Sequence, residues 1–291
     1  MEAKLLDGRL VSDFLISQVK SDVADLRKNG ILPKLVIILV GDNPASLSYI
    51  NQKIKTAAAC GIESEEIALE PTITTNELVA KIEKLNADSS VHGILVQLPL
   101  PDQIESALVI RAIDAKKDVD GFHAYNLGKM FLSQEFEHLV PCTPRGIIEL
   151  LGYYKIDIEG KDIVIIGRSN IVGKPLSTML INRGATVTVC HSKTKDLKAN
   201  ASRADILVVA IGKPKFITAD FVKDGAVVID VGVNRIVDSE TNKTKLVGDV
   251  DFDGVISKVS KITPVPGGVG PLTVACLMRN VVTAVRRRDS L

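Results

Sequence analysis

Residues 161–175, KDIVIIGRSNIVGKP, decide how the rest of the chain is read. Four apolar β-formers in succession, Ile163, Val164, Ile165 and Ile166, specify a strand buried on both faces. Gly167 ends that strand, and Pro175 fits the first turn of a helix running through LSTMLINRG to Gly184. Between them lies Gly167-x-Ser169-x-x-x-Gly173, a relaxed form of the turn that receives a dinucleotide. Glycines there let the chain turn tightly and approach a pyrophosphate at the positive end of the helix dipole. Ser169 stands where the usual fingerprint has its second glycine, so by itself the motif fits a structural strand–helix turn as well as a cofactor site.

The strand that follows, Thr186 to Cys190, ends where a dinucleotide fold reads the adenosine ribose. A site for NAD carries an Asp or Glu there to hold the free hydroxyl. This chain has Cys190-His191-Ser192-Lys193 and no acid. With Arg168 in the first turn, hydroxyl and cationic groups lie where a ribose phosphate would sit, which favours NADP; the alternative is a solvated polar loop.

A chain of 291 residues, 46% hydrophobic, can form two domains with sizeable cores, and a net charge of +1 argues against a nucleic-acid or membrane surface. The basic run Arg286-Arg287-Arg288 closes a helical pattern, where it complements the helix dipole. No apolar run reaches membrane-spanning length, and MEAKLLDGRL lacks a signal-peptide core. Cys60, Cys142, Cys190 and Cys276 are scattered and read as small buried hydrophobes in a reducing compartment, so a cytoplasmic protein is expected. His92, His123, His138 and His191 show no ligand spacing, and no metal is expected.

Along the chain, Leu10 to Lys28 reads as a helix with Val11, Phe14, Leu15, Val19, Val23 and Leu26 on its apolar face, closed by Gly30. Strands are expected over Lys34–Gly41, Glu65–Leu69 and Gly93–Leu98, with helices from Pro44 to Cys60, Asn76 to Asn86 (capped by Thr74 or Thr75) and Ser106 to Ile113. From Asp118 to Pro141 the pattern lapses into loops and turns, which suits an interdomain crossing. A helix follows from Thr143-Pro144 to Leu151, then the central unit, strands at Asp205–Gly212 and Ala226–Gly232, and a last helix from Leu272 to about Arg288. Asp249-x-Asp251-x-Asp253-Gly254 copies the start of a calcium loop, but its twelfth position is Ser260; Asp251 or Asp253 reads as a helix cap instead.

Tyr49 and Lys53 share one helix face, Gln97 ends a buried strand where α/β sites assemble, and Asp120 sits in a glycine-containing turn. Each has a plain reading: a surface contact, a satisfied polar strand end, a turn former bonding its own backbone. Taken together with their surroundings they say more. YINQKIKTAAACGI (49–62), GILVQLPLP (93–101), DVDGFH (118–123), PCTPRGI (141–147), GRSNIVGKP (167–175) and PVPGGVGPLT (264–273) occur in one order. The set resembles the bifunctional methylenetetrahydrofolate dehydrogenase/methenyltetrahydrofolate cyclohydrolase family, in its stand-alone form without a synthetase domain.

That resemblance implies two α/β domains with a cleft between them. Residues 1–142 would form a folate-binding catalytic domain on which the helix at about 272–291 packs back, and 143–271 a Rossmann-like NADP-binding domain. Lys53 would be the central catalytic residue, assisted by Tyr49 and Gln97, and Asp120 would bind the pterin. Tyr49, Pro264, Gly267 and Gly268 would border the folate. Gly167, Arg168, Ser169, Ser192 and Val233 would contact NADP. Tetrahydrofolate derivatives would be the substrates, and the chain would pair as a homodimer through its nucleotide domains. Two other readings explain the nucleotide turn: a different two-domain NAD(P)-dependent dehydrogenase, and a non-catalytic dinucleotide-binding sensor. Both leave the Tyr49, Lys53, Gln97 and Asp120 set without a purpose.

Overall fold

The computed structural model describes residues 4–237 and 244–288; the end of the last expected helix, toward 291, lies outside them. In chain order the elements are α1 (Gly8–Lys28), β1 (Lys34–Val40), α2 (Pro44–Cys60), β2 (Glu63–Leu69), α3 (Thr75–Ala87), β3 (Gly93–Val96), α4 (Ser106–Ala112), α5 (Ala124–Leu132) and α6 (Cys142–Tyr153). They continue with β4 (Asp162–Ile166), α7 (Gly173–Ile181), β5 (Thr186–Cys190), α8 (Leu197–Ala201), β6 (Ile206–Val209), β7 (Val227–Asp230), β8 (Asn234–Val237), β9 (Thr244–Val247), α9 (Phe252–Val255), β10 (Lys261–Ile262) and α10 (Val269–Arg287). Two compact units result: Asp13–Cys142 with 274–288, and 4–12 with Thr143–Thr273.

In the first unit the parallel sheet runs β2-β1-β3. An isolated bridge from Ile94 to Asp118 adds a short fourth row beside β3. β1 is covered on both faces because six of its seven residues are buried aliphatics. Val36, Ile38 and Val40 pack with Leu78 and Ile82 of α3 and Val109 of α4. Thr74 and Glu77 close a capping box at the start of α3, as Thr-Thr-Asn-Glu foreshadows. Phe14, placed by its spacing on the buried face of α1, is 47% exposed; Val11, Leu15, Val19 and Val23 carry the packing.

The region expected as loop between Asp118 and Pro141 contains α5 and a 3-10 turn at Gln134–Phe136. Only Asn126 and Met130 of α5 are buried, while Tyr125, Phe131 and Leu132 face outward. Its apolar residues therefore do not coincide with its buried ones, and its start is set by the His123 ring, whose Nδ1 accepts from Tyr125 N at 3.1 Å.

The second unit holds a five-stranded parallel sheet, β10-β7-β6-β4-β5. In order of appearance that is 2-1-3-4-5, a doubly wound order whose direction reverses between β4 and β6. Val164, Ile166, Leu207, Val209 and Val228 form its core with Cys190, Val255 and Ile262. The antiparallel pair β8–β9 and the short elements α8 and β10 carry too few residues to show a period, and the sequence does not announce them; α9 is equally short and begins directly after Asp251, one of the two residues expected as a helix cap. Residues 4–12 belong to this unit rather than to the one that follows them in sequence. Leu5 bridges Ile262, Leu6 N donates to Ile262 O at 2.8 Å, and Gly8 N donates to Gly267 O at 2.9 Å.

Gly8 has no room for a side chain, since a Cβ there would collide with the Gly268 carbonyl. Because that neighbour is backbone, Gly8→Ala is expected to cost about 1–3 kcal/mol. A urea titration shows it as a lowered midpoint at unchanged m-value.

Candidate active site

Both sheets end in a turn region where the strand order reverses, and the candidate residues collect there. In the first unit the reversal lies between β1 and β3. Gln97 leaves β3 with its N–H on Ile38 O at 2.9 Å. Its Nε2 donates to Leu98 O at 2.7 Å, which turns Oε1 toward Lys53, and Lys53 Nζ donates to it at 2.9 Å. Lys53 is only 6% exposed, on the helix that follows β1. Tyr49, one turn earlier, lies with its ring centroid 5.7 Å from Lys53 Nζ. Burial of its hydroxyl raises the phenol's pKa, so Tyr49 is a neutral donor rather than a base, although the ring is 39% exposed.

Asp120 stands beside this pair, while its neighbour Asp118 does the bonding expected of a turn former. The Asp118 carboxylate accepts from Gly121 N at 3.1 Å, Phe122 N at 3.3 Å, His123 N at 2.8 Å and Asn126 Nδ2 at 2.9 Å. Burial pushes its pKa up against the pull of those donors. The turn is pinned from its other side by Asn280 of α10, which donates to Val119 O at 2.8 Å and Val140 O at 3.0 Å. Gly121, at φ +74°, lies against Val140 where a Cβ would clash.

The Asp120 carboxyl, by contrast, has no hydrogen bond or ion pair among the described residues. Burial raises it to about 6, with Lys53 pulling it down and Asp118 adding to the rise. In the sequence Asp118 is visible only as the first residue of DVDGFH, with no role of its own, and Asn280 does not stand out; the one visible signal for Asn280 is a polar residue within an apolar helix face. Burial also holds the Cys142 thiol well above its ordinary range, so it is an inert packing group.

In the second unit Gly167, at φ +129°, has the Ala210 carbonyl where a Cβ would be, and a Cβ on Gly173 would strike the Gly167 carbonyl. Ser169 Oγ accepts from Val172 N at 3.1 Å, and its carbonyl accepts from Lys174 N at 3.1 Å. Helix α7 starts with no side-chain cap on its Val172 position. A glycine cradle at an uncapped helix start fits a pyrophosphate. Arg168 and Ser192 are exposed and make no hydrogen bond or ion pair among the described residues, as groups awaiting an anion would. Val233 is exposed, just ahead of β8.

Pro264, Gly267 and Gly268 belong to this same unit, in a loop with a cis Val265–Pro266 bond. Gly267 has φ +108°, and a Cβ on Gly268 would come within 2.6 Å of Pro264 O. The calcium-like acids do other work: Asp249 is fully buried, Asp251 precedes α9 without a side-chain cap bond and lies 3.8 Å from Lys215, and Asp253 is exposed. Among the described residues no group of three or more His, Cys, Asp or Glu could hold a metal ion.

A doubly wound parallel sheet with a glycine cradle, joined in one chain to a second α/β unit bearing a buried Lys–Gln pair, defines a two-unit protein of the dinucleotide-binding class. Residues 6–120 match the tetrahydrofolate dehydrogenase/cyclohydrolase catalytic domain, and residues 141–289 match the NAD(P)-binding domain of the same family. The bifunctional protein FolD of Agathobacter rectalis is 54% identical over 285 residues, covering 98% of this chain and 100% of that protein. The crystal structure of the bifunctional FolD dehydrogenase/cyclohydrolase from Campylobacter jejuni superposes with a TM-score of 0.93 at 51% identity, covering 98% of this chain and 99% of that one. The Trypanosoma brucei enzyme, solved with NADP cofactor and inhibitor, has a TM-score of 0.93 at 37% identity, with 99% of each chain covered. This chain belongs to the tetrahydrofolate dehydrogenase/cyclohydrolase family.

The raised Asp120 pKa has a consequence for stability. Its folded value of about 6 lies above the ordinary 3.8, so the native state holds the proton more tightly. That contribution is complete below pH 3.8 and is lost as pH rises through about 6. Asp120→Asn is therefore expected to stabilise the ligand-free protein at pH 8 by on the order of 2 kcal/mol, with the gain vanishing near pH 4, in denaturation curves at the two pH values.

Proposed function

We propose that this chain oxidises 5,10-methylenetetrahydrofolate to 5,10-methenyltetrahydrofolate with NADP⁺ and then hydrolyses the product to 10-formyltetrahydrofolate. The observation that carries the reading is the buried Lys53 held by Gln97 beside an Asp120 carboxyl that has no hydrogen bond or ion pair among the described residues, in a member of this family. Bound NADP⁺ supplies the hydride acceptor. A folate nitrogen lone pair stabilises the cation left behind, so the first step asks the protein for alignment rather than for a strong base.

Hydrolysis asks for more. Water attacks the methenyl carbon, its proton must be taken up, and a proton must reach a ring nitrogen as the C–N bond breaks. Lys53 Nζ is the group for that shuttle, aimed by the Gln97 amide. Tyr49 flanks the folate ring with a phenol that stays protonated. Asp120 accepts from the two donors of the aminopyrimidine edge, which match a carboxylate by shape.

Residues 13–142 with the helix that closes the chain serve the folate, bordered by Pro264, Gly267 and Gly268, and 143–271, joined by residues 4–12, serve the nucleotide. Gly167, Ser169 and Val233 line the dinucleotide, while Arg168 and Ser192 take the ribose phosphate and set NADP above NAD. The protein acts in the cytoplasm as a homodimer paired through its nucleotide unit, on small molecules, without nucleic acid or membrane. No described helix is long and apolar enough to cross a membrane. Sedimentation at twice the chain mass checks the pairing.

With methylenetetrahydrofolate and NADP⁺, wild type is expected to form NADPH without accumulating the methenyl compound. Lys53→Ala should lose hydrolysis by about 10²–10⁴-fold. Absence of NADPH formation with either nucleotide in wild type would sink the reading. The folate KM should fall as pH rises through about 6, because Asp120 accepts from both donors through its two oxygens only when ionised; a KM flat across that range counts against its role.

A further inference from the structure

Two buried carboxylates in the nucleotide unit have no part in the chemistry above. Asp249, fully buried, accepts through Oδ2 from Ile211 N at 2.7 Å and Gly212 N at 2.9 Å. Its Oδ1 accepts from Lys213 N at 2.8 Å and Asn234 Nδ2 at 2.9 Å. Asp230, at the end of β7, in turn holds the backbone that carries Asp249. It accepts from Asp249 N at 2.9 Å, Val250 N at 2.9 Å and Gly232 N at 3.0 Å. The glycines are required by this arrangement, since a Cβ on Gly232 would collide with the Asp249 carboxylate and one on Gly248 with that of Asp230.

The place matters as much as the bonds. Ile211 to Lys213 is the turn leaving β6, and β6 pairs with β4 at the point where the sheet order reverses. The Ala210 carbonyl immediately before it lies against Gly167 of the cradle. Asn234, the fourth donor, follows Val233. One carboxylate therefore fixes the turn on the far side of the crevice and, through Asn234, the segment bearing Val233. Ligands of doubly wound sheets lie in that crevice, outside the strand ends.

The geometry points to Asp249 as a positioning residue for NADP, one that shapes the Ile211–Lys213 turn and the Val233 segment without touching the reacting atoms. The inference rests on the NADP reading above. Asp249→Asn keeps the size but replaces an acceptor oxygen by a donor facing an N–H, so the turn loses at least one of its holds. Asn234→Ala leaves the carboxylate intact and removes the side-chain donor, which also reaches Val247 O at 3.4 Å.

The test is calorimetric titration of each purified variant with NADP⁺, alongside dehydrogenase kinetics and hydrolysis of methenyltetrahydrofolate without nucleotide. Asp249→Asn should weaken NADP⁺ binding and raise its KM by about tenfold or more, with kcat at saturating NADP⁺ within a few fold and hydrolysis kept. Asn234→Ala should shift binding the same way, by a few fold. An unchanged NADP⁺ affinity in folded Asp249→Asn overturns the proposal, as does a parallel loss of hydrolysis, which would make Asp249 a determinant of the fold. If Asp249→Asn does not fold, Asn234→Ala decides alone: unchanged affinity there overturns it. Wild type that binds no NADP⁺ overturns the functional reading, and this inference with it, before any variant is compared.

Discussion

Each unit of this protein depends on a buried carboxylate that grips backbone N–H groups. Asp118 holds Gly121, Phe122 and His123 in the first, and Asp249 holds Ile211, Gly212 and Lys213 in the second. A charge taken from water is tolerated only where such donors replace the lost solvation. Once satisfied in this way, it fixes a turn more firmly than side-chain packing could, because three of the four donors on each carboxylate belong to the main chain. Both turns lie at the ends of parallel strands. The sheets are built from apolar runs with no functional groups of their own, and the carboxylates give their open ends a definite shape.

The topology explains why those ends are where ligands go. Where strand order reverses, neighbouring crossovers leave in opposite directions and a crevice opens. In the first unit the crevice between β1 and β3 receives Lys53 and Tyr49 from the following helix and Gln97 from the strand end. In the second, Gly167 and Ala210 face one another across β4 and β6, close enough that only glycine serves. One arrangement thus yields a buried Lys53–Gln97 pair in one unit and a backbone-lined glycine cradle in the other.

The sequence made the scaffold legible wherever burial imposes a period. Ile163 to Ile166, Leu35 to Val40 and Leu207 to Val209 are apolar runs that only a doubly covered strand explains. Tyr49, Lys53, Gln97 and Asp120 were legible through motif resemblance, whereas their spacing alone fits ordinary surface and turn roles. Helix α5 escaped because its burial does not follow its apolar residues: Asn126 is buried while Phe131 and Leu132 are exposed. The partners of Asp249 and Asn280 escaped for a different reason, whereas Asp118 bonds residues three to eight positions further on. Asp249 reaches amides 36 to 38 residues away, and Asn280 reaches a carbonyl 161 residues away. No local pattern encodes such partners, and the nearest signal, an Asp-x-Asp-x-Asp run, resembles a metal loop.

Asp120 shows how the fold separates stability from binding. Its neighbour Asp118 has four donors, yet Asp120 has none among the described residues and does not pair with Lys53. A closed Lys53–Asp120 bridge would stabilise the empty site and would leave a ligand to break it. Instead Gln97, a neutral group, takes the ammonium, and the carboxylate is left desolvated with its pKa near 6. A ligand that brings two N–H donors to Asp120 then gains the hydrogen bonds and also relieves the burial penalty that the empty protein carries. On the proposed reading, binding would be favoured by what folding left unsatisfied, and the four donors that hold the Asp118 turn keep Asp120 from taking them itself.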